Sequence, residues 1–223
     1  MIESLTSADL TDVPVFPLPR VVFFPRTILP LRIFEPRYRA MMAACLQTEE
    51  RLLVVAQLQP GFESDYQGRP PIYDVAGLGR IDRYQEHADG TYSLTLEGLA
   101  RVRLSELPAI DTPFRRAALL PLQEREPQGG VAAAELSAVL SLADQVTRQL
   151  QAEQPSFELA LGNDRSPGAL ADRLAGQLLI DPTAAQEALE ILAIDQRLRF
   201  IMDQLAQLHM ALSKQAGSET LLH

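Results

Sequence analysis

The chain has 223 residues, room for one large domain or two small ones. Apolar residues make up 47% and charged residues 22%, the balance of a chain that buries a core. A net charge of −9 argues against a free-standing nucleic-acid binder, and the single cysteine, Cys45, excludes an intrachain disulfide or a cysteine-based zinc site.

The opening "MIESLTSADLTD" has neither a basic flank nor an apolar core, so a secretory signal is not expected there. No run of about 18 apolar residues occurs, so a membrane helix is not expected either, and the cytoplasm is the expected location. Charge is uneven. Residues 13–39 hold Arg20, Arg26, Arg32, Arg37 and Arg39 against the single acid Glu35, a local balance of +4 that leaves −13 for the rest.

The first half reads as strands. "VPVFPL" (13–18) and "TILPLRI" (27–33) are short, β-rich and marked by proline, which suits edge strands or strand starts. Between them and the next strand, Glu35-Pro36 opens a helix, proline being tolerated at the first helical position. Tyr38, Met41, Met42, Cys45 and Leu46 share its buried face, which makes Cys45 a small core residue. "RLLVVAQLQ" (51–59) is a continuous apolar run, the mark of a strand covered on both faces. A strand over 73–87 follows, with Gly77 and Gly79 placed for a bulge or a close strand approach. Asp89-Gly90 then signals a hairpin turn. After it Tyr92, Leu94 and Leu96 alternate with Ser93, Thr95 and Glu97, and strands over 100–107 and 114–122 complete the set.

The second half reads as helices. "QEREPQGG" (123–130) has the composition of a linker. Leu136, Val139, Leu140, Ala143, Val146 and Leu150 keep one apolar face. Ser166-Pro167 and Asp181-Pro182 each give a cap followed by a first-turn proline. Leu170, Leu174 and Leu178 line the helix after the first. One helix is expected from the second to about Leu212, with Leu198, Ile201, Met202, Leu205 and Leu208 inward and a frayed tail beyond.

Four blocks in register carry a resemblance: "VPVFPLPRVVFFPRTILPLRIFEPRYRAMM", "LLVVAQ", "VAGLGRI" and "DGTYSLTLEGLARVRL". Together they resemble the N-terminal domain of the Lon protease family, and "AGQLLIDPTAAQEALEILAIDQRLRFIMDQL" resembles the helical part of that domain. The resemblance implies an α+β fold: a PUA-like β pseudo-barrel of about six strands with one inserted helix (1–121), then a C-terminal helical bundle (122–223). In Lon proteases this region precedes an AAA+ ATPase and a peptidase domain and is regarded as a substrate-recognition module; cereblon carries the same domain. The expected role is therefore a non-enzymatic polypeptide-binding or adaptor module without ATPase or peptidase domains, meeting unfolded or extended polypeptide or a protein partner.

The sequence itself has no G-x-x-x-x-G-K-[ST] phosphate loop. Its one lysine, Lys214, follows Ser213 with none of the family's catalytic blocks around the pair. His87, His209 and His223 form no H-x-x-x-H spacing, so neither metal nor cofactor is expected. Two alternatives stand beside the binding module. One is an RNA-binding PUA-like protein using the 13–39 arginines; the other is a small enzyme, for which Cys45 and His87 are the only named lead. The expected contact surface is the entry to the first helix: Arg32, Arg37 and Arg39 around Phe34 and Tyr38, since aromatics and arginine dominate contact energy.

Overall fold

The computed structural model describes residues 6–66, 68–108 and 112–220, the last six by backbone alone. Two compact units divide it, Met1–Gln123 and Glu124–His223.

In the first unit, six strands form one sheet: β1 Val13–Leu18, β2 Ile28–Ile33, β3 Leu52–Gln57, β4 Val75–Glu86, β5 Tyr92–Glu106 and β6 Arg115–Pro121. Their order is β2-β5-β4-β3-β1-β6, and β5 also pairs β6. The last pairing closes β5, β4, β3, β1 and β6 into a ring, the expected pseudo-barrel. β2 hangs outside the ring as an edge. The span from Tyr92 to Glu106, expected as two strands, is one. Its first half pairs β2 through Tyr92–Glu97 and its second half pairs β6 through Val102–Glu106. A single strand can serve both because it bends where the β4–β5 register shifts between Leu78 and Gly79.

β1 is not an edge strand, contrary to its prolines. Val13–Val15 pairs β6 and Val15–Leu18 pairs β3. The strand exchanges neighbours at Val15, so Pro14 and Pro17 each lie where it has a partner on one side only, and the missing N–H is tolerated. Pro30, in β2, does lie at the sheet edge.

Two apolar layers share β3. Leu52, Val54 and Ala56 face the ring interior with Val13, Val15, Leu78, Val102 and Ala117. Leu53 and Val55 face a second layer with Phe16, Leu94, Leu96 and the helix α1 (Pro36–Leu46). All six β3 residues are buried for this reason. The β1–β2 connection also packs inward through Phe23 and Phe24. It crosses the strands so closely that a Cβ on Gly77 would lie 2.1 Å from the Phe23 carbonyl oxygen, and one on Gly98 2.2 Å from that of Phe24. At the Asp89-Gly90 turn the Gly90 N–H donates to the His87 carbonyl and Gly90 has φ +74°, as the hairpin requires.

The second unit holds α2 Ala133–Glu153, α3 Pro167–Leu178, α4 Pro182–Glu190 and α5 Ile194–Thr220. Val139, Ala143 and Val146 of α2, Leu170, Leu174 and Leu178 of α3, and Leu198, Ile201 and Leu205 of α5 are buried. Ser166 accepts from the Ala169 N–H, and Asp181 from Thr183 and Ala184, so both proline starts are capped. The single helix expected from 182 to 212 is two. Arg125 pairs with the intervening residues: its N–H donates to Leu192 O and its carbonyl accepts from Ile194 N. Those bonds replace helical ones, and Ile191 turns extended (φ −74°, ψ 107°). The 123–130 stretch is correspondingly not all linker, because Glu124 also pairs with Arg197 of α5. Helix α5 continues to Thr220, beyond the frayed end expected near Leu212, each added residue gaining one backbone bond once the helix exists.

Candidate binding cleft and family

The apolar face of α1 anchors its first turn to the sheet. Tyr38 lies edge-on to Phe16 of β1, ring centroids 4.6 Å apart, and only 5% of it is exposed. This fixes the backbone of Arg37 beside it. The Arg37 guanidinium sits 4.6 Å from the Tyr38 ring centroid and 5.5 Å from that of Tyr66, so two aromatic faces hold one cation. Its Nε donates to Glu35 Oε2 at 3.0 Å, and Tyr66 Oη lies 3.5 Å from the other Glu35 oxygen.

Four stretches meet there: Pro17 of β1, the start of α1, residues from Leu58 to Pro70, and Thr112–Arg115. They enclose a cleft of about 290 Å³. Phe114 and the prolines 17, 70 and 113 supply apolar lining; Arg37, Arg69 and Arg115 supply charge. Arg115 is 6% exposed. Its Nη2 donates to the Pro70 carbonyl at 2.7 Å, and its Nη1 lies 3.5 Å from Glu106 Oε2. Arg69 pairs with the other Glu106 oxygen. Burial lowers the affinity of Arg115 for its proton, opposed by Glu106. Burial pushes the Tyr38 phenol up to about 12 and raises Tyr66 as well.

The five residues expected to form one contact patch are divided. Arg37 and Tyr38 line the cleft. Arg32 lies on the exposed face of β2, in a shallow trough with Arg83 across the strands β2, β5 and β4. Arg39 packs over the hairpin turn, where a Cβ on Gly90 would lie 2.1 Å from its Nη2. Phe34 is 64% exposed and lines neither hollow. Tyr66, Arg69, Phe114 and Arg115 escaped the sequence reading. For Tyr66 and Arg69 the aromatic and arginine content of the Gly- and Pro-rich 60–70 stretch was the one available signal, whereas Phe114 and Arg115 open the strand expected over 114–122.

Cys45 is buried with Sγ 3.4 Å from the Leu52 carbonyl, and burial raises its thiol to about 12, so it carries no thiolate near neutral pH. His87 Nε2 lies 2.8 Å from Ser93 Oγ. Among the described residues no group of three or more His, Cys, Asp or Glu could hold a metal ion, and no helix is long and apolar enough to cross a membrane.

Comparison with known proteins extends these observations. Residues 12–207 match the family described as the ATP-dependent protease La (LON) substrate-binding domain. The chain is 29% identical to Lon protease 2 of Sorangium cellulosum, over 88% of its own length and 24% of the relative's. It is 25% identical to Lon protease 2 of Herpetosiphon aurantiacus, over 93% of its own length and 25% of the relative's. It thus spans about a quarter of the curated relatives it matches. Its fold matches the N-terminal domain of Mycobacterium avium complex Lon protease with a TM-score of 0.64, 17% identity and coverage of 88% of this chain and 98% of that one. The Lon N-terminal domain protein from Xanthomonas campestris gives a TM-score of 0.58 at 21% identity, covering 86% and 98%. With its ring of strands, its inserted helix and its C-terminal helices all matched, the chain belongs to the LON substrate-binding domain family.

Proposed function

We propose that the β-rich unit is a non-catalytic binding module that captures an extended segment of another polypeptide in the cleft at the start of α1. The carrying observation is the cleft's make-up: a cation held between Tyr38 and Tyr66, beside Phe114 and three prolines. Aromatic and arginine side chains in a concave, largely preformed site are the types that contribute most to contact energy. Tyr38 and Arg37 are already fixed by α1, so little ordering is needed on binding. The substrate-binding description of the family accords with this role. The relatives' protease activity is assigned to none of the residues described above.

The test uses a dye-labelled, permanently unfolded protein and reads its binding to the full chain by fluorescence anisotropy. Tyr66→Ala removes a partly exposed cleft wall and is expected to weaken binding about tenfold, the scale of one aromatic contact at an interface, with the melting temperature held. Arg37→Glu is expected to do the same. Arg32→Glu and Arg39→Glu, outside the cleft, are expected to leave binding unchanged. Wild-type affinity in the Tyr66 and Arg37 variants would place the contact elsewhere.

A further inference from the structure

The charged side of the cleft is one-sided. Among the described residues its lining holds three guanidinium groups and no carboxylate. Glu35 and Glu106 bond these arginines without themselves lining the cleft, and exposed Asp65 lies against Gly68. Donors remain over. Arg37 uses Nε on Glu35 and directs Nη2 to the Tyr66 carbonyl at 3.5 Å, which leaves Nη1 without a hydrogen-bond partner among the described residues. Among the described residues Arg69 uses Nη2 alone. Arg115, by contrast, is built in, held by the Pro70 carbonyl. Beside these cations the lining is apolar, with Phe114, Pro113 and the Tyr66 ring.

A cleft of about 290 Å³ is at the small end for ligand sites, which run from roughly 300 Å³ upward. It holds a pair of side chains rather than a length of chain. In an extended strand the side chains of residues i and i+2 point the same way, about 6.6 Å apart. Building on the polypeptide-binding reading above, we infer that the cleft selects segments in which an acidic residue and an aromatic residue are separated by one position. The carboxylate meets Arg37 and Arg69 over the fixed charge of Arg115, and the ring packs on Tyr66 and Phe114. Guanidinium groups match a carboxylate in shape as well as charge. The electrostatics agree: Arg37 and Arg69 both act to lower the proton affinity of Arg115, a mutual repulsion that an incoming anion relieves.

The experiment uses dye-labelled nonapeptides, acetylated and amidated so that no terminal charge remains, titrated with the full chain. One carries Asp-x-Phe at its centre, a second Asn-x-Phe, a third Asp-x-Ala. A fourth, acetylated but not amidated, has Asn-x-Phe and a free C-terminal acid. The Asp-x-Phe peptide is expected to bind about tenfold more tightly than the second and third, the scale of one charge-assisted hydrogen bond or one aromatic contact. Arg69→Gln, on the cleft rim, is expected to weaken Asp-x-Phe and leave Asn-x-Phe unchanged. Arg37→Gln repeats the comparison from the other side, and retained melting temperatures show that both variants are folded. Equal affinity for Asp-x-Phe and Asn-x-Phe, with binding still lost in Tyr66→Ala, would overturn the acidic preference and leave the cleft standing as a polypeptide site. Binding confined to the free-acid peptide would overturn it in favour of a chain terminus. Tighter binding of an oligouridylate that displaces the peptide would overturn both readings in favour of nucleic acid.

Discussion

Arg197 offers the sharpest test of what holds the helical unit together. It lies at the start of α5 with its side chain fully buried. Nη1 donates to the Ile191 carbonyl at 2.9 Å, Nη2 pairs with Glu124, and Nε stands 3.4 Å from Oδ1 of Asp172 on α3, whose side chain is also fully buried. One guanidinium thus ties α3, α5, the break between α4 and α5, and the first residue of the unit. Replacing it by methionine keeps much of the volume but removes the cation 3.4 Å from the buried Asp172 carboxylate and deprives the Ile191 carbonyl of a donor. Breaking a buried pair from one side costs about 3–5 kcal/mol, so about 4 kcal/mol is expected for Arg197→Met. With a urea m-value of about 2 kcal/mol/M the midpoint should fall by about 2 M. Urea titration followed by far-UV circular dichroism, dominated by the helices, measures it. Adding Asp172→Leu to Arg197→Met removes the buried carboxylate as well and should recover about half the loss. A loss below about 1 kcal/mol in the single variant, or a double variant less stable than the single one, would show that the network does not bear the stability assigned to it.

Two further outcomes concern the β-rich unit, with Gly129 of the helical unit as the comparison position. Gly77→Ala should cost about 3 kcal/mol, because its Cβ meets a backbone oxygen that cannot swing away, whereas Gly129→Ala, with φ +86° and open space around it, should cost about 1 kcal/mol; thermal melts of the two variants give the comparison. Stability should also fall as pH rises from about 9 toward 12. In that window the unfolded chain gives up the Cys45 and Tyr38 protons while the folded chain keeps them, both groups being raised to about 12. The contribution is complete below about pH 8, a unit under the ordinary thiol value of 9. Cys45→Ala and Tyr38→Phe should therefore each flatten the dependence of melting temperature on pH between 8 and 11, and an unchanged slope would contradict the burial of both groups.

Much of the fold was legible because burial within a strand or helix leaves a local period. Tyr92, Leu94 and Leu96 alternate because one face of β5 meets the α1 layer. The apolar run of β3 is continuous because both of its faces are covered. Pro167 and Pro182 mark helix starts because the first turn needs no donor from them. The family resemblance, carried by residue types at fixed spacing, rests on the same local signals. Which segment lies beside which leaves no such period. Arg125 splits an otherwise continuous helical pattern at Leu192 by supplying bonds from outside it. Pro14 and Pro17 looked like edge residues because a sequence shows a missing donor and not the side on which a neighbour is absent. The cleft belongs to the same class. Arg37 and Tyr38 could be named in advance, since α1 announces its own entry. Tyr66, Phe114 and Arg115 joined them only when the ring closed and brought four stretches of the chain together. Local chemistry along the chain determined the elements, their faces and their ends; the pairing of β5 with β6 and the cleft beside α1 were decided by contacts between residues far apart, whose free energy no short stretch of sequence contains.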